Sequence, residues 1–247
     1  MFLKNNYFTI PVVARAALLL FFIMVRTNLN ILQWNARGLG CQKTNSTSQV
    51  KNSKVNNLNN LLSNLGYPDI VCIQEPLTKE NQTIHFPHYN YEVIHKGPGC
   101  RGLLTLIKNT HTYKLLDTYC NRFVTSHTIE IHINNQTKMH ITNYYRNWSE
   151  KSQNFKNIPN AEDLLGHPLK QNLLSHCIVG DFNSHNLLWG SKKNTLPGKI
   201  IAKIIEQEEL TLHNTGGTTR IGQRPNEDDS SIDLTLTQNM EGICVHT

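Results

Sequence analysis

Two runs of this chain, Asp69–Glu75 (DIVCIQE) and His176–Asn183 (HCIVGDFN), are mostly apolar through their middles and carry a carboxylate at or near the end. Runs this short and this apolar read as buried strands. Further strand-like segments are Leu29–Arg37, which runs into a turn at Gly38 and Gly40, then Tyr91–His95, Gly102–Ile107, Thr125–Ile133, Lys138–Tyr145, Thr211–His213, Ser231–Thr237 and Gly242–His246. Helical spacing is confined to three places. Val55, Leu58, Leu61, Leu62 and Leu65 recur on one face before Gly66 and Pro68 stop them, and Glu162–Leu174 and Gly198–Leu210 are the other two. Many strands, few helices and no long βαβ alternation predict an α+β layered sandwich, one domain beginning near residue 28.

Composition narrows the partners. Of 247 residues 38% are hydrophobic, enough for a sizeable core, so fibrous and wholly disordered readings are excluded. Charged residues reach only 17%, and polarity comes from 30 asparagines. Lys and Arg outnumber Asp and Glu by 24 to 18, a balance that suits a polyanionic partner. The six cysteines form no CxxC pair, which excludes a zinc ribbon or thioredoxin-type site. Cys72 and Cys177 fall inside apolar strands, where a thiol behaves as a small hydrophobe, so reduced thiols in an intracellular protein are expected. Ala16–Val25 is an uncharged apolar run of ten, short of the roughly 20 residues that span a bilayer, and no A-x-A-like cleavage site follows it. Residues 1–27 are read as an apolar leader outside the domain, with no stable membrane partner. The sequons at Asn45, Asn81, Asn135 and Asn147 are what 30 asparagines yield by chance, so secretion is the minority reading.

With only seven Asp and eleven Glu, carboxylates at strand ends are informative. Glu75 closes one buried strand and is followed by Pro76. Asp181 lies near the end of the other, and at period two it projects to the same side as Asn183. Asn35 lies near the end of LNILQWNAR, before a glycine-rich turn, and Asp233 lies within SSIDLTLT. Carboxylates and amides at the mouths of buried strands can hold a hard metal and a phosphate, because magnesium takes one or two carboxylates and leaves positions for water and phosphate. Taken singly, each is a strand-end residue capping a turn; the ordered set is far more specific.

That ordered set resembles the endonuclease/exonuclease/phosphatase superfamily, and within it the apurinic-like endonuclease domain of non-LTR (LINE-type) retrotransposons. The motifs run in order as QWNARGL (33–39), PDIVCIQEP (68–76), ITNYYR (141–146), GDFNSHNLLWGS (180–191) and SSIDLTL (230–236). HNTGGTTR (213–220) also resembles the retroelement branch. The resemblance implies a four-layer αββα, DNase I-like sandwich over residues 28–247 with the site at one sheet edge. It implies that Glu75 binds magnesium, with manganese as a substitute, and that Asn35 positions phosphate or metal water. Asp181 would orient or deprotonate the attacking water, Asn183 would support it, and Tyr145 would contact the scissile phosphate, with Tyr144 as fallback. Asp233 would hold a general catalytic histidine. His185 matches a retroelement-specific histidine near DNA or in the site structure. Arg37 stands where abasic-site repair enzymes carry Asp, which favours nicking over repair, and Arg37 and Arg146 are read as DNA contacts.

Two departures from the pattern matter. No Asp is followed by His anywhere, so the superfamily's terminal Ser-Asp-His is missing, and the chain stops at Thr247 soon after SIDLTL. The expectation is a C-terminally truncated domain lacking its last strand, with an inner-sheet edge left unpaired. The strand carrying Tyr145 continues as Arg146-Asn147-Trp148 where the family has a Pro-Pro pair. The expected function is magnesium-dependent nicking of double-stranded DNA in the nucleus, as the endonuclease part of an element whose reverse transcriptase domain follows. The alternatives are a catalytically impaired relic or DNA-binding fragment, then a secreted DNase I-like nuclease, then a phosphoinositide or sphingolipid phosphodiesterase. Trp34 and Trp189 are read as core or site-wall aromatics, and Lys192, Lys193 and Arg220 as solvated surface.

Overall fold

The structure is a computed structural model that describes residues 6–12, 27–39, 53–80, 84–97, 100–133, 137–147, 159–171, 173–214, 216–221 and 229–246. The apolar run 16–25, all but the last two residues of the loop read at 41–54, and Trp148 lie outside them. Twelve strands among the described residues form two six-stranded sheets. The first has the order β12 (Cys244–His246), β1 (Asn6–Val12), β2 (Thr27–Asn35), β3 (Ile70–Gln74), β5 (Leu103–Lys108), β4 (Tyr89–Ile94). The second runs β10 (Thr211–Leu212), β11 (Asp233–Gln238), β9 (His176–Asp181), β8 (Lys138–Arg146), β7 (Val124–His132), β6 (Tyr113–Cys120). Only β2–β3 and β8–β9 pair in parallel; the other pairings are antiparallel.

Period-two alternation sorts each strand between two cores. Ile31, Ile70, Cys72, Ile107, Ile129, Ile141, Cys177 and Val179 meet in one cluster between the sheets. Their neighbours Leu32, Val71, Ile73 and Leu106 turn outward onto Val55, Leu58 and Leu62 of helix α1 (Ser53–Asn64). On the far side Tyr144, Ile178, Leu234 and Leu236 pack on Ile201, Ile204 and Ile205 of α3 (Leu196–Gln207). The order helix, sheet, sheet, helix is the four-layer αββα sandwich that the resemblance implies. Because the inner strands are covered on both faces, β3 is apolar on successive residues from Ile70 to Ile73 and β9 from Cys177 to Val179.

Three elements differ from the sequence reading. The helix expected over Glu162–Leu174 is a single π-helical turn at Glu162–Gly166 followed by α2 (His167–Leu169), and Leu174 lies exposed beyond it. Strand β6 carries no clean alternation, because it is an edge strand with its register broken between Leu115 and Asp117. Third, the outer edge of β2 is not left unpaired. Strand β1, from within residues 1–27, lies antiparallel along it from Asn6↔Gln33 to Val12↔Thr27, and β12 pairs with β1 in turn. Among the described residues no helix is long and apolar enough to cross a membrane, and Cys72, Cys100, Cys120, Cys177 and Cys244 are free thiols.

Candidate active site

Parallel pairing brings the motif residues together. In the first sheet β2 and β3 run side by side, so Asn35 lies opposite Gln74 and next to Glu75. In the second, Tyr145 of β8 lies opposite Asp181 of β9, and Asp181 opposite Asp233 of β11. The inward-facing ends of both sheets therefore share one mouth. There the Asn35 amide Nδ2 donates to Glu75 Oε1 at 3.1 Å and to Asp181 Oδ2 at 2.7 Å, bridging the two sheets. The Tyr145 hydroxyl donates to the same Glu75 Oε1 at 2.8 Å. Asn35, Glu75, Tyr145, Asp181 and Asp233, all expected at one site, stand in one hydrogen-bonded neighbourhood.

Electrostatics mark this mouth as a place short of positive charge. Asp181 is 3% exposed, and burial first, then Asp233 across the strand pair, push its carboxyl up to about 8. Burial likewise pushes Asp233 up to about 6. Burial, then Glu75 and Asp181, raise the Tyr145 phenol above its ordinary range, so it stays a neutral donor.

Asn183 and His185 are placed differently from their neighbours. Asn183, with φ +43°, donates its backbone N–H to Asp181 Oδ1 at 2.8 Å and its side-chain Nδ2 to the carbonyl of Arg146 at 2.8 Å. It thus fixes the Asp181 carboxylate through its backbone while its amide ties down the end of β8. His185 donates its backbone N–H to Thr195 Oγ1, and its imidazole sits in the field of Lys193, Arg220 and Arg146. Among the described residues no imidazole bonds Asp233; its Oδ1 accepts instead from Gln33 Nε2 at 2.8 Å. Arg37 is exposed, and its backbone N–H donates to Asn35 Oδ1. Arg146 is 5% exposed and donates Nη1 to the Asn183 carbonyl at 2.8 Å. Trp189 is wholly buried, with its indole N–H on the Ser184 carbonyl.

Sequence reasoning missed four contributors. Gln33 lies two residues before Asn35 and so on the same face, a period-two signal that could have found it. Arg101 forms an ion pair with Glu75 Oε2, a contact no local pattern announces. Thr219 Oγ1 accepts from the backbone N–H groups of Ile232 and Asp233, and Asn214 bonds the backbone of Asp233 and Thr235. These last two give HNTGGTTR its purpose: it laces alongside β11 and fixes Asp233.

A metal would find carboxylate oxygens from Glu75 and the under-neutralised Asp181; Asn35, whose Nδ2 here faces both carboxylates while its Oδ1 accepts from the Arg37 N–H, would offer an oxygen only with its amide turned over. Among the described residues no three His, Cys, Asp or Glu side chains converge as a ready cage. Magnesium does not require one, since one or two carboxylates with waters and substrate phosphate suffice. The donor set fits a hard divalent cation, with Arg101 supplying the counter-charge at Glu75.

Residues 139–245 match the family model described as endonuclease-reverse transcriptase. No curated protein matches by sequence. Among solved structures the chain is similar to the endonuclease domain of TRAS1, a telomere-specific non-LTR retrotransposon, at 15% identity and TM-score 0.56, over 83% of each chain. It is also similar to the catalytic domain of Xenopus laevis APE2 at 15% identity and TM-score 0.55, covering 84% of this chain and 81% of that one. A mannosyl-6-phosphatase from Bacteroides thetaiotaomicron aligns at 13% identity and TM-score 0.52, over 85% of each. The fold is thus the one shared by these three structures, and the resemblance read from the motifs is borne out.

Proposed function

Proceeding from the endonuclease-reverse transcriptase match over residues 139–245 and this shared fold, we propose that the chain is a divalent-metal-dependent endonuclease that nicks double-stranded DNA, the endonuclease part of a non-LTR retroelement working in the nucleus beside that element's reverse transcriptase. The observation that carries the reading is the bridge made by the Asn35 amide between Glu75 and Asp181, 146 residues apart from it in the second case, with Tyr145 on the same carboxylate.

Glu75 and Asn35 would hold the cation, which when bound neutralises charge on a phosphoryl oxygen as a Lewis acid. Asp181, held by Asn35 and the Asn183 backbone, would accept the proton of a water aligned with the phosphorus once positive charge at Glu75 brings its raised carboxyl back to the ionised form. Attack forms the new phosphorus–oxygen bond and breaks the bond to the 3′ oxygen, which takes a proton from solvent. Tyr145, kept neutral, turns its O–H from Glu75 to a phosphoryl oxygen as charge develops there. The ends left are a 5′-phosphate and a 3′-hydroxyl, and the latter is the primer a reverse transcriptase needs.

A specific observation favours the second reading, a catalytically impaired DNA-binding relic. Asp233 is bonded by Gln33, an amide that cannot shuttle a proton, and a missing general acid–base partner costs about 10²–10⁴-fold. The test is nicking of supercoiled plasmid by the full chain with and without magnesium, beside Asp181→Ala. Magnesium-dependent nicking lost in that variant supports the endonuclease. A folded chain that binds DNA without nicking it establishes the relic.

A further inference from the structure

Two thiols meet at the edge of the second sheet, apart from the carboxylates of the mouth. Cys120 ends the edge strand β6 and is exposed, whereas Cys100 is buried in the turn that leads into β5 of the first sheet. One hydroxyl joins them: Thr125 Oγ1 lies 3.4 Å from the Cys100 Sγ and 3.6 Å from the Cys120 Sγ. Thr125 is wholly buried and stands opposite Cys120 on β7. Cys120 is also hydrogen-bonded to Cys100, so the sulfurs themselves are neighbours. The contrast is the pair Cys72 and Cys177, which share the core between the sheets. Both of those are wholly buried, where a thiol is inert; Cys120 supplies the exposed thiol that they lack.

The pair is tied to the mouth from both sides. Register sets Cys120 opposite Thr125, Thr125 opposite Tyr145, and Tyr145 opposite Asp181, one row across β6, β7, β8 and β9. In the first sheet the Cys100 Sγ accepts from the Gly102 N–H at 3.4 Å. The carbonyls of Gly102 and Arg101 in turn accept from the N–H groups of Glu75 and Leu77. The backbone around Glu75 therefore hangs on the turn that Cys100 anchors.

We infer that Cys100 and Cys120 are a redox-active pair that closes to a disulfide and fastens the turn carrying Arg101 and Gly102 to β6. The oxidant is a low-molecular-weight disulfide such as oxidised glutathione. The Cys120 thiolate attacks one of its sulfurs and expels a glutathione thiolate, leaving a mixed disulfide at the exposed position. The Cys100 thiolate then attacks the Cys120 sulfur, forms the internal disulfide and expels the second glutathione. The two thiol protons end on the two departing thiolates, so the protein loses two electrons and two protons and the oxidant gains both. Thr125 releases both sulfurs and keeps Asn147 Oδ1, 3.5 Å away, as its acceptor. No hydrolytic residue takes part, so the pair stands or falls independently of the nuclease reading.

The full chain, first reduced, would be exposed to oxidised glutathione in mildly alkaline buffer, because burial holds the Cys120 thiol above its ordinary range. Free thiols are then blocked and the peptides mapped by mass. A cross-linked Cys100–Cys120 peptide is expected, with Cys72 and Cys177 blocked as free thiols and Cys244 carrying glutathione at most. Cys100→Ser should stop at glutathione on Cys120, and Cys120→Ser should leave Cys100 free. Amide exchange reads the fastening: the N–H groups of Glu75 and Leu77 should exchange about threefold more slowly in the oxidised chain, and dithiothreitol should restore the rate. A wild-type chain that keeps glutathione on Cys120 without the internal bond, or that joins Cys120 as readily to Cys244, overturns the pair. An internal disulfide that leaves both amides unchanged overturns the fastening.

Discussion

Asp233 is a buried acid held charged against its surroundings, and this makes it a residue whose removal should strengthen the fold. Burial pushes its carboxyl up to about 6, so the folded chain holds the proton more tightly than the unfolded chain does. The penalty for charging it is therefore fully felt above pH 6 and absent below the ordinary carboxylate range. Asparagine keeps an oxygen for Gln33 Nε2 and places an amide toward the Thr219 hydroxyl. Asp233→Asn is expected to raise the metal-free urea stability by about 2 kcal/mol at pH 8, and the gain should vanish by pH 4. A gain independent of pH would refute the electrostatic cause. Arg101 offers the complementary change at the other carboxylate. It is exposed and pairs with Glu75 Oε2, so it competes with any cation bound there. Arg101→Gln should tighten manganese binding by roughly three- to fivefold in calorimetry, the most that an exposed pair worth at most about 1 kcal/mol allows. Weaker binding in that variant would mean that Arg101 helps hold the metal site open rather than competing for it.

At the scale of elements, the loops that carry chemistry are positioned by backbone contacts that leave no room for a side chain. A Cβ on Gly190 would come within 2.5 Å of the Gly216 Cα, and Gly190 itself has φ +82°. The WGS triplet and the HNTGGTTR segment therefore touch backbone to backbone, which is why both glycines occur in motifs that look unrelated in sequence. Gly190→Ala is expected to cost at least 2 kcal/mol in urea unfolding from strain and displacement together, and to loosen Asp233 through Thr219. A variant as stable as wild type would show that the two loops part easily. How much of this was legible follows from what each signal depends on. The buried strands and α1 announced themselves because burial on a covered sheet acts on every residue. Asn35, Glu75, Tyr145, Asp181 and Asp233 were legible as strand-end polar residues in a known order. Arg101, Thr219 and the Gln33–Asp233 bond were not, because they depend on loop paths and on registers between strands up to 200 residues apart. Strand β6 escaped because an edge strand with a register break has no period to read.

Across the whole molecule, the inner faces of the strands change character along their length, from Leu29 and Ile31 through Gln33 to Asn35, and from Cys177 and Val179 to Asp181. Between the apolar core and the mouth lies a polar seam. Gln33 donates to Gln74 at 2.6 Å, Gln74 to Asn143 at 2.8 Å, and Asn143 to Thr105 at 2.9 Å, which bonds the buried His127. His176 lies in the same sheet, bonded to Thr142 at 2.7 Å. The sheet that carries Gln33 is completed by β1, so the seam depends on residues read at first as a leader. A chain beginning at Asn28 should expose the edge of β2, lower the urea midpoint and self-associate in light scattering; a monomer of unchanged stability would show that β1 adds nothing. The seam also sets how the whole fold meets acid. Burial lowers both imidazoles to about 4, below the ordinary value near 6.5. Their contribution is fully present above pH 6.5 and is lost as pH falls toward 4, because the unfolded chain takes up the protons first. In that window each histidine should remove about 1.4 kcal/mol of stability per pH unit. His127→Gln, which keeps a hydrogen bond to Thr105 but cannot titrate, should change the slope of urea stability against pH between 6.5 and 4 by about 1.4 kcal/mol per pH unit relative to wild type, whatever the raised carboxyls of Asp181 and Asp233 add in the opposite sense. An unchanged slope would place the acid sensitivity outside the seam.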